Sequence, residues 1–153
     1  MADPILNDAT ALANMGILGA HLYGTQLSQF PYPLFKQKGA GKELWMTETS
    51  DFDKQGFDLA MNMAKSLYLG LKFGHISGWV YWAMADYVIK NNKLTPLGRA
   101  FQQYYRFLLP GTQMIEISSG DPDLLVVAGK LRDNLSIIAI NNSDADKFSI
   151  GII

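Results

Sequence analysis

Cysteine is the residue type that this sequence lacks altogether. Without thiols the chain can form neither disulfide bonds nor thiolate metal sites. Histidine is scarce as well, with two in 153 residues, and no GxGxxG, phosphate-binding loop or HExxH motif occurs. We therefore expect no metal and no cofactor, and the sequence does not indicate a nucleotide-dependent or metal-dependent enzyme.

Neither sign of charge dominates, since 13 lysine and arginine residues stand against 14 aspartate and glutamate residues. This balance gives no long-range attraction to nucleic acid or to an anionic membrane, and it fits a neutral polymer better. No apolar run approaches the ~18–20 residues of a transmembrane helix. The opening "MADPILND" lacks the basic and apolar regions of a signal peptide. We expect no nucleic-acid or membrane partner, and either a cytoplasmic protein or a targeting segment outside this sequence.

The first two thirds of the chain alternate predicted strands with predicted helices, a pattern that favours a parallel α/β sheet. A hydrophobic content of 48% with 18% charged residues indicates a folded domain. Thr95 as N-cap and Pro96 at the first helical position begin the last helix of this part. The predicted elements are, in order, a helix over 7–16, a strand over 17–24, a long loop with one helical turn at 34–38, a strand over 43–47, a helix over 54–73, a strand over 75–84, a loop over 86–93 and a helix over 95–108.

The last third follows a different pattern, because short apolar runs succeed one another without helices between them. The runs "QMIEIS", "DLLVVAGKL", "NLSIIAINN" and "KFSIGII" predict four antiparallel strands. The change occurs next to Pro110 and Gly111. We therefore expect two parts, residues 1–109 and residues 110–153.

Candidate chemistry lies where the predicted parallel strands end, because their carboxyl ends share one rim of the sheet. His21, Tyr23, Glu48, Tyr81 and Trp82 are expected at this rim. Aromatic faces stack on the apolar face of a pyranose, and carboxylates serve as acid, base or nucleophile. A structural interpretation stays open: Glu48 could merely cap the next helix, and His21 could be a hydrogen-bonded core residue.

Long sequence stretches carry a resemblance to a known family. The segments "ILGAHLYGTQLSQFPYPLFKQKGAGKELWMTE", "SGWVYWAM" and "LTPLGRAFQQYYRFLLPGTQMIEI" closely resemble the C-terminal portion of bacterial xylanases of glycoside hydrolase family 30, glucuronoxylanases in particular. The resemblance implies an α/β fold: a partial (β/α)8 TIM barrel with the last three βα units, followed by an incomplete antiparallel β-sandwich side domain.

The same resemblance implies roles for individual residues. Glu48 matches the catalytic nucleophile of a retaining glycosidase, and Tyr23 matches the tyrosine that orients it. The remaining side chains expected to bind substrate belong to the same rim: His21, Tyr81, Trp82 and Tyr87.

Two departures from the family pattern concern the acid/base and the specificity. A retaining glycosidase needs a second carboxyl group about 5–5.5 Å from the nucleophile, and the family takes it from an Asn-Glu pair on barrel strand four. The three glutamates of this chain, Glu43, Glu48 and Glu116, do not follow asparagine, which leaves Asp86 or another chain as the source. The family's glucuronate-binding arginine also has no match in "AMADYVIKNNK".

The sequence thus predicts a retaining xylanase acting on β-1,4-xylan, either glucuronoxylan or arabinoxylan, with the acid/base absent from this chain. We expect a secreted parent enzyme, and a chain that by itself associates with the missing N-terminal barrel portion or with itself. Three alternatives remain: a non-catalytic carbohydrate-binding fragment, half of a two-chain enzyme, or a family 30 activity on another β-glycan.

Overall fold

A computed structural model describes residues 2–21, 23 and 32–145 of the chain. Helices and strands are interspersed up to residue 105, and the elements described after it are all strands. The elements are α1 (Asp3–Asn7), α2 (Ala9–Asn14), β1 (Ile17–His21), α3 (Pro33–Lys38), β2 (Glu43–Thr49), α4 (Gly56–Lys72), β3 (Gly78–Tyr81), β4 (Ile89–Lys90), β5 (Lys93–Leu94), α5 (Pro96–Tyr105), β6 (Gln113–Ile115), β7 (Leu124–Leu131) and β8 (Asn134–Asn141).

Strands β1, β2 and β3 form a parallel sheet in that order, as the alternation of strands and helices predicts. One face of this sheet is covered. Leu18, Leu44 and Met46 pack there with Ile76, and helices α4 and α5 pack against Trp79 of the same face. The opposite face of the sheet carries the remaining side chains of the three strands, and we call it the open face.

The helix boundaries follow local capping chemistry. Asp8 accepts a hydrogen bond from the Ala11 N–H at 2.8 Å and begins α2, while Thr95 accepts one from the Gly98 N–H at 3.1 Å and begins α5. The predicted helix over 7–16 is in fact α2 alone, preceded by the short α1, because Asp8 has extended backbone between them. Among the described residues, none of the helices has the length and apolar character to span a bilayer.

The segment over 86–93, predicted as a loop, contains a two-stranded hairpin instead. Strands β4 and β5 pair antiparallel, and the two residues between them, Asn91 and Asn92, both have positive φ angles of 51° and 58°. This is the backbone of a two-residue hairpin turn, which asparagine tolerates better than most residues. Strands of two residues are too short to show an alternating pattern in the sequence.

Strands β6, β7 and β8 form an antiparallel sheet in which β7 is central. Three of the four predicted antiparallel strands are therefore confirmed, and the fourth, "KFSIGII", lies outside the described residues. The apolar face of this sheet joins the helices: Val127, Ile138 and Ile140 share one buried cluster with Leu67 and Phe101. The division at residue 110 stays a prediction, since one hydrophobic core extends across it.

Lys72 connects helix α4 to the antiparallel sheet and to the segment before it. The Lys72 ammonium at the end of α4 donates hydrogen bonds to the carbonyl oxygens of Ile117 and Val126, the latter at 3.2 Å. The Tyr68 ring lies 5.8 Å from the same ammonium. Because a lysine at a helix C-terminus also interacts favourably with the helix dipole, Lys72 stabilises the docking of α4 on the antiparallel sheet.

Candidate active site

A β-bulge in β2 determines where Glu48 points. Ala20 of β1 pairs with Met46, but the next β1 residue, His21, pairs with Glu48, so that Thr47 is an extra residue in β2. The pairing of β2 with β3 shifts over the same stretch. Strict alternation would send Glu48 to the helix-covered face with Met46. The bulge instead turns Glu48 toward the open face, where His21 lies.

Glu48 makes two side-chain contacts, one with His21 at the end of β1 and one with Tyr23 two residues further on. The Tyr23 hydroxyl donates a hydrogen bond of 2.9 Å to Glu48 Oε1. His21 Nδ1 lies 3.6 Å from the same oxygen, which is an ion pair when the imidazole is protonated. The Glu48 side chain keeps 26% of its surface accessible, so it is held in place and can still be reached.

The open face beneath Glu48 is built by close packing over two glycines. A Cβ on Gly19 would lie 3.2 Å from Thr47 Cγ2, and one on Gly78 would lie 2.6 Å from Trp45 Cδ2. Trp45 Nε1 in turn donates to Glu43 Oε2 at 2.7 Å. Thr47 packs over Gly19 and Trp45 packs over Gly78, which is possible because these positions carry no side chain. Trp45 is half-buried on this open face.

The residues of β3 and Trp82, which follows it, divide between the two faces, as the alternation of a strand requires. Val80 is 46% exposed and Trp82 is 59% exposed, while Trp79 and Tyr81 pack against Phe101 of α5. The Tyr81 hydroxyl is buried, and burial raises the pKa of Tyr81. Substrate contact by Tyr81 stays a prediction that this packing disfavours, whereas Trp82 is free to meet a ligand.

Two loops at the carboxyl ends of β2 and β3 meet through aromatic rings. Phe52, from the loop after β2, lies 5.3 Å from Tyr87, measured between ring centroids, and both rings are exposed. A groove of about 760 Å³ is lined by Tyr23, Glu48 and Phe52 together with residues of α4. Tyr87 was expected at this rim from the sequence. Phe52 was not, because an isolated phenylalanine in a polar loop carries no periodic signal.

Asp51 and Asp53 lie ahead of helix α4 and do not cap it. Helix α4 begins at Gly56 with Gln55 as its N-cap, and the Asp51 carboxylate bonds Asn62 of α4 at 2.6 Å instead. Asp86 lies in the turn before β4 with a φ of 64°. Its role as a second catalytic carboxylate stays a prediction. Within residues 2–21, 23 and 32–145, no three histidine, aspartate or glutamate side chains are grouped to hold a metal ion.

Comparison with known proteins identifies xylanases among the relatives of this chain. The chain is 39% identical to the glucuronoxylanase XynC of Bacillus subtilis strain 168, over 94% of this chain and 36% of that protein. It superposes on a GH30 endoxylanase from Clostridium papyrosolvens C71 with a TM-score of 0.77 and 38% identity, covering 92% of this chain and 37% of the other.

A second solved structure, the glycoside hydrolase family 30 subfamily 8 xylanase Xyn30A from Clostridium acetobutylicum, gives a TM-score of 0.82 at 26% identity. It covers 94% of this chain and 37% of that one. The chain therefore spans little more than a third of the length of these relatives. No protein-family model matches it.

Proposed function

This chain belongs to glycoside hydrolase family 30 as a partial xylanase sequence, and from that premise we propose that it is the C-terminal part of a retaining β-1,4-xylanase. We use "parent protein" for the polypeptide that would carry this chain together with the remaining strands and helices. In this proposal β1, β2 and β3 are the last three strands of a (β/α)8 barrel, and β6 to β8 belong to a β-sandwich side domain.

Glu48 is the nucleophile of the proposed reaction. Its carboxylate attacks the anomeric carbon of a xylose unit, and the bond to the leaving oxygen breaks as a glycosyl-enzyme ester forms. Water then releases the sugar with net retention. A second carboxyl group protonates the leaving oxygen and later activates that water, and in this proposal it comes from the part of the parent protein outside this chain.

The observation that carries the proposal is the hydrogen bond from Tyr23 to Glu48 Oε1. A nucleophilic carboxylate must present one oxygen to the anomeric carbon, and a donor bound to the other oxygen fixes that orientation. His21, two residues before Tyr23 in the sequence, lies close to the same oxygen. A glutamate that only capped a helix would turn toward α4 and would have no need of these partners.

Exposed apolar side chains on the open face support the proposal that further barrel strands cover it. Ile17, Val80 and Trp82 each expose about half of their surface on this face, although all three are large apolar residues. Barrel interiors are filled by side chains from alternate strands, so five further strands would bury Ile17 and Val80. Trp82, nearer the rim, would then stack on a xylose ring.

The proposed substrate is the β-1,4-xylan backbone, in glucuronoxylan or arabinoxylan. Residues 83–93 contain no arginine and only Tyr87 as an aromatic residue, so this segment supplies no bidentate partner for a glucuronate branch. Since xylan is too large to enter a cell intact, we propose that the parent protein acts outside it. The alternative is activity on another β-glycan. Assays of the parent protein on different polysaccharides would distinguish the two.

A mechanism-based label tests the central claim. The parent protein is treated with a 2-fluoro xylobiosyl substrate, whose glycosyl-enzyme forms but hydrolyses slowly, and the labelled peptide is identified by mass spectrometry. We expect the label on Glu48. A label on another carboxylate, or inversion at the anomeric carbon when products of natural xylan are followed by NMR, would rule out the proposal. Parallel assays on glucuronoxylan, arabinoxylan and β-1,6-glucan identify the polymer.

A further inference from the structure

We propose that His21 is a positioning residue for Glu48, and that the proton on its imidazole controls how fast the glycosyl-enzyme forms. With a neutral imidazole the Glu48 carboxylate is free to attack. With an imidazolium it is held in an ion pair that the reaction has to give up. The inference rests on the proposed function and deepens it, because it directs His21 at the nucleophile and not at the substrate contact that the sequence predicts.

The His21 imidazole approaches the same carboxylate oxygen that Tyr23 binds. His21 Nδ1 lies 3.6 Å from Glu48 Oε1, and the Tyr23 hydroxyl donates to that oxygen at 2.9 Å. A separation of 3.6 Å is too long for a hydrogen bond between neutral groups, but it lies within the range of an ion pair. The strength of this contact therefore depends on whether the imidazole carries a charge.

Backbone pairing and one aromatic contact fix the position of His21. His21 ends β1 and pairs directly with Glu48 of β2 across the sheet. The Tyr23 ring stands edge-on to the imidazole, with 6.0 Å between ring centroids and an interplanar angle of 76°. His21 therefore meets Glu48 through the register of two strands, and a substitution that keeps the strands paired removes the imidazole alone.

Among the described residues, the titratable side chains in contact with His21 are Glu48 of β2, the strand paired with β1, and Tyr23, which follows β1. Tyr81 of β3 packs against α5 on the other face of the sheet. The Asp51 carboxylate, in the loop after β2, is paired with a lysine of its own loop and hydrogen-bonded to α4. Glu48 is therefore the anion to which the charge of His21 responds.

The reaction removes the charge of Glu48, and this couples His21 to it. Both contacts fall on Oε1, so Oε2 forms the bond to the anomeric carbon while the bond to the leaving oxygen breaks and that oxygen takes a proton from the acid/base. The ester carries no negative charge, so an imidazolium beside it loses its ion-pair partner. Its proton can leave to water, because the His21 side chain keeps 52% of its surface accessible.

The experiment measures kcat/KM of the parent protein on xylohexaose, a neutral substrate, from about pH 4.5 to pH 9. Histidine side chains titrate between about pH 5 and pH 8, so kcat/KM should fall about tenfold as pH decreases through this range. Tenfold corresponds to an attraction of about 1.4 kcal/mol. His21→Gln should abolish this fall and keep only the one below about pH 5, where carboxylates take up protons.

His75→Gln is the matched control, because His75 is the other histidine of the chain. It is exposed and precedes β3, so it lies at the end of the parallel sheet opposite Glu48. The pH profile of this variant should match that of the unsubstituted protein.

Nuclear magnetic resonance of ring-labelled histidine gives a second readout on the unsubstituted protein, which holds even where a variant folds poorly. After the 2-fluoro xylobiosyl ester forms, one histidine signal should move from the imidazolium position toward the neutral one at a pH between about 5 and 6. A purely structural histidine would not respond to the charge of Glu48 in this way.

Four results would overturn the proposal. His21→Gln could leave the acid limb of the profile unchanged, or raise KM at every pH, which would make His21 a substrate contact. It could shift the alkaline limb, which would assign His21 to the acid/base outside this chain, since that group must be protonated to act. No histidine signal could respond to the ester. A failure of the proposed function looks different: the unsubstituted parent protein would cleave xylan at no pH, or the label would lie on a carboxylate other than Glu48.

Discussion

The Tyr23 hydroxyl donates its hydrogen bond to Oε1 of Glu48, which lies 25 positions later in the sequence. The parallel pairing of β1 with β2 brings these residues to the same rim, and the bulge at Thr47 turns Glu48 onto the face that Tyr23 occupies. A shift of one residue in the register of β2 would separate the two groups, because it would send Glu48 to the opposite face.

Replacing Tyr23 by phenylalanine tests this contact. Tyr23→Phe in the parent protein should lower kcat on xylan about 10- to 100-fold, because a hydrogen bond to a charged group contributes roughly 1.5–3 kcal/mol. KM should change little, since the phenol orients the carboxylate and not the sugar. Tyr105→Phe is the control: its hydroxyl lies 3.5 Å from the Trp79 carbonyl, remote from Glu48. Equal effects of the two substitutions would argue against the orienting role.

Removing the charge of Glu48 should abolish turnover. Glu48→Gln in the parent protein is expected to reduce kcat by more than about a thousandfold, because an amide cannot form the glycosyl ester. Glu43→Gln, at the other end of the same strand, should leave kcat within about twofold, since an amide oxygen can still accept from Trp45 Nε1 and Ser77 Oγ. Steady-state kinetics on soluble xylan would compare kcat of the two variants. Equal kcat values for Glu48→Gln and Glu43→Gln would contradict the assignment.

Gly98, like Gly19 and Gly78, occupies a position that requires the absence of a side chain. A Cβ there would lie 2.3 Å from the Val88 carbonyl oxygen, a backbone atom that cannot move without shifting the hairpin of β4 and β5. Gly98→Ala should therefore lower the free energy of unfolding by about 1–3 kcal/mol in urea titrations. Gly120→Ala, whose Cβ would meet nothing within 4 Å, should be nearly neutral. The prediction fails if the two variants unfold alike.

Tyr104 should make the protein less stable at alkaline pH. Its ring is 3% exposed, its hydroxyl donates to the Ala64 carbonyl at 2.8 Å, and burial raises the pKa of Tyr104 because phenolate is not solvated in the core. An unfolded tyrosine titrates near pH 10, so the unfolded state loses its proton first. The contribution is complete below about pH 10 and is lost as pH rises further.

Urea titrations between about pH 8 and pH 11 check this sign. The Tyr104→Phe variant should be less stable than the unsubstituted protein at pH 8, by about 0.5–1.5 kcal/mol for the lost hydrogen bond. Its stability should then decline less steeply above pH 10. Partial burial raises the pKa of Tyr105 as well, but its ring is 49% exposed, so its contribution to this pH dependence is smaller. A decline that is equally steep with and without Tyr104 would refute the prediction.

Several features of the fold were readable from residue patterns because they depend on local chemistry. Asp8 and Thr95 begin helices where their side chains can accept from a free N–H, and Pro96 fits the first position of α5. The hairpin of β4 and β5 was missed because two-residue strands show no period, and "NN" is a weaker turn signal than Asn-Gly. The short β3 was overestimated because "HISGWVYWAM" is apolar beyond the four residues that pair.

The sequence by itself determined that an apolar strand ends in a polar segment containing Glu48, and the resemblance of its neighbours to family 30 singled out Glu48 and Tyr23. Only the tertiary structure decided which way Glu48 faces. That direction depends on one extra residue in the pairing of β2 with its neighbours, and pairing register is a property of three strands that no single strand encodes. The placement of Phe52 beside Tyr87 has the same origin, since two loops 35 residues apart meet only after the sheet has formed.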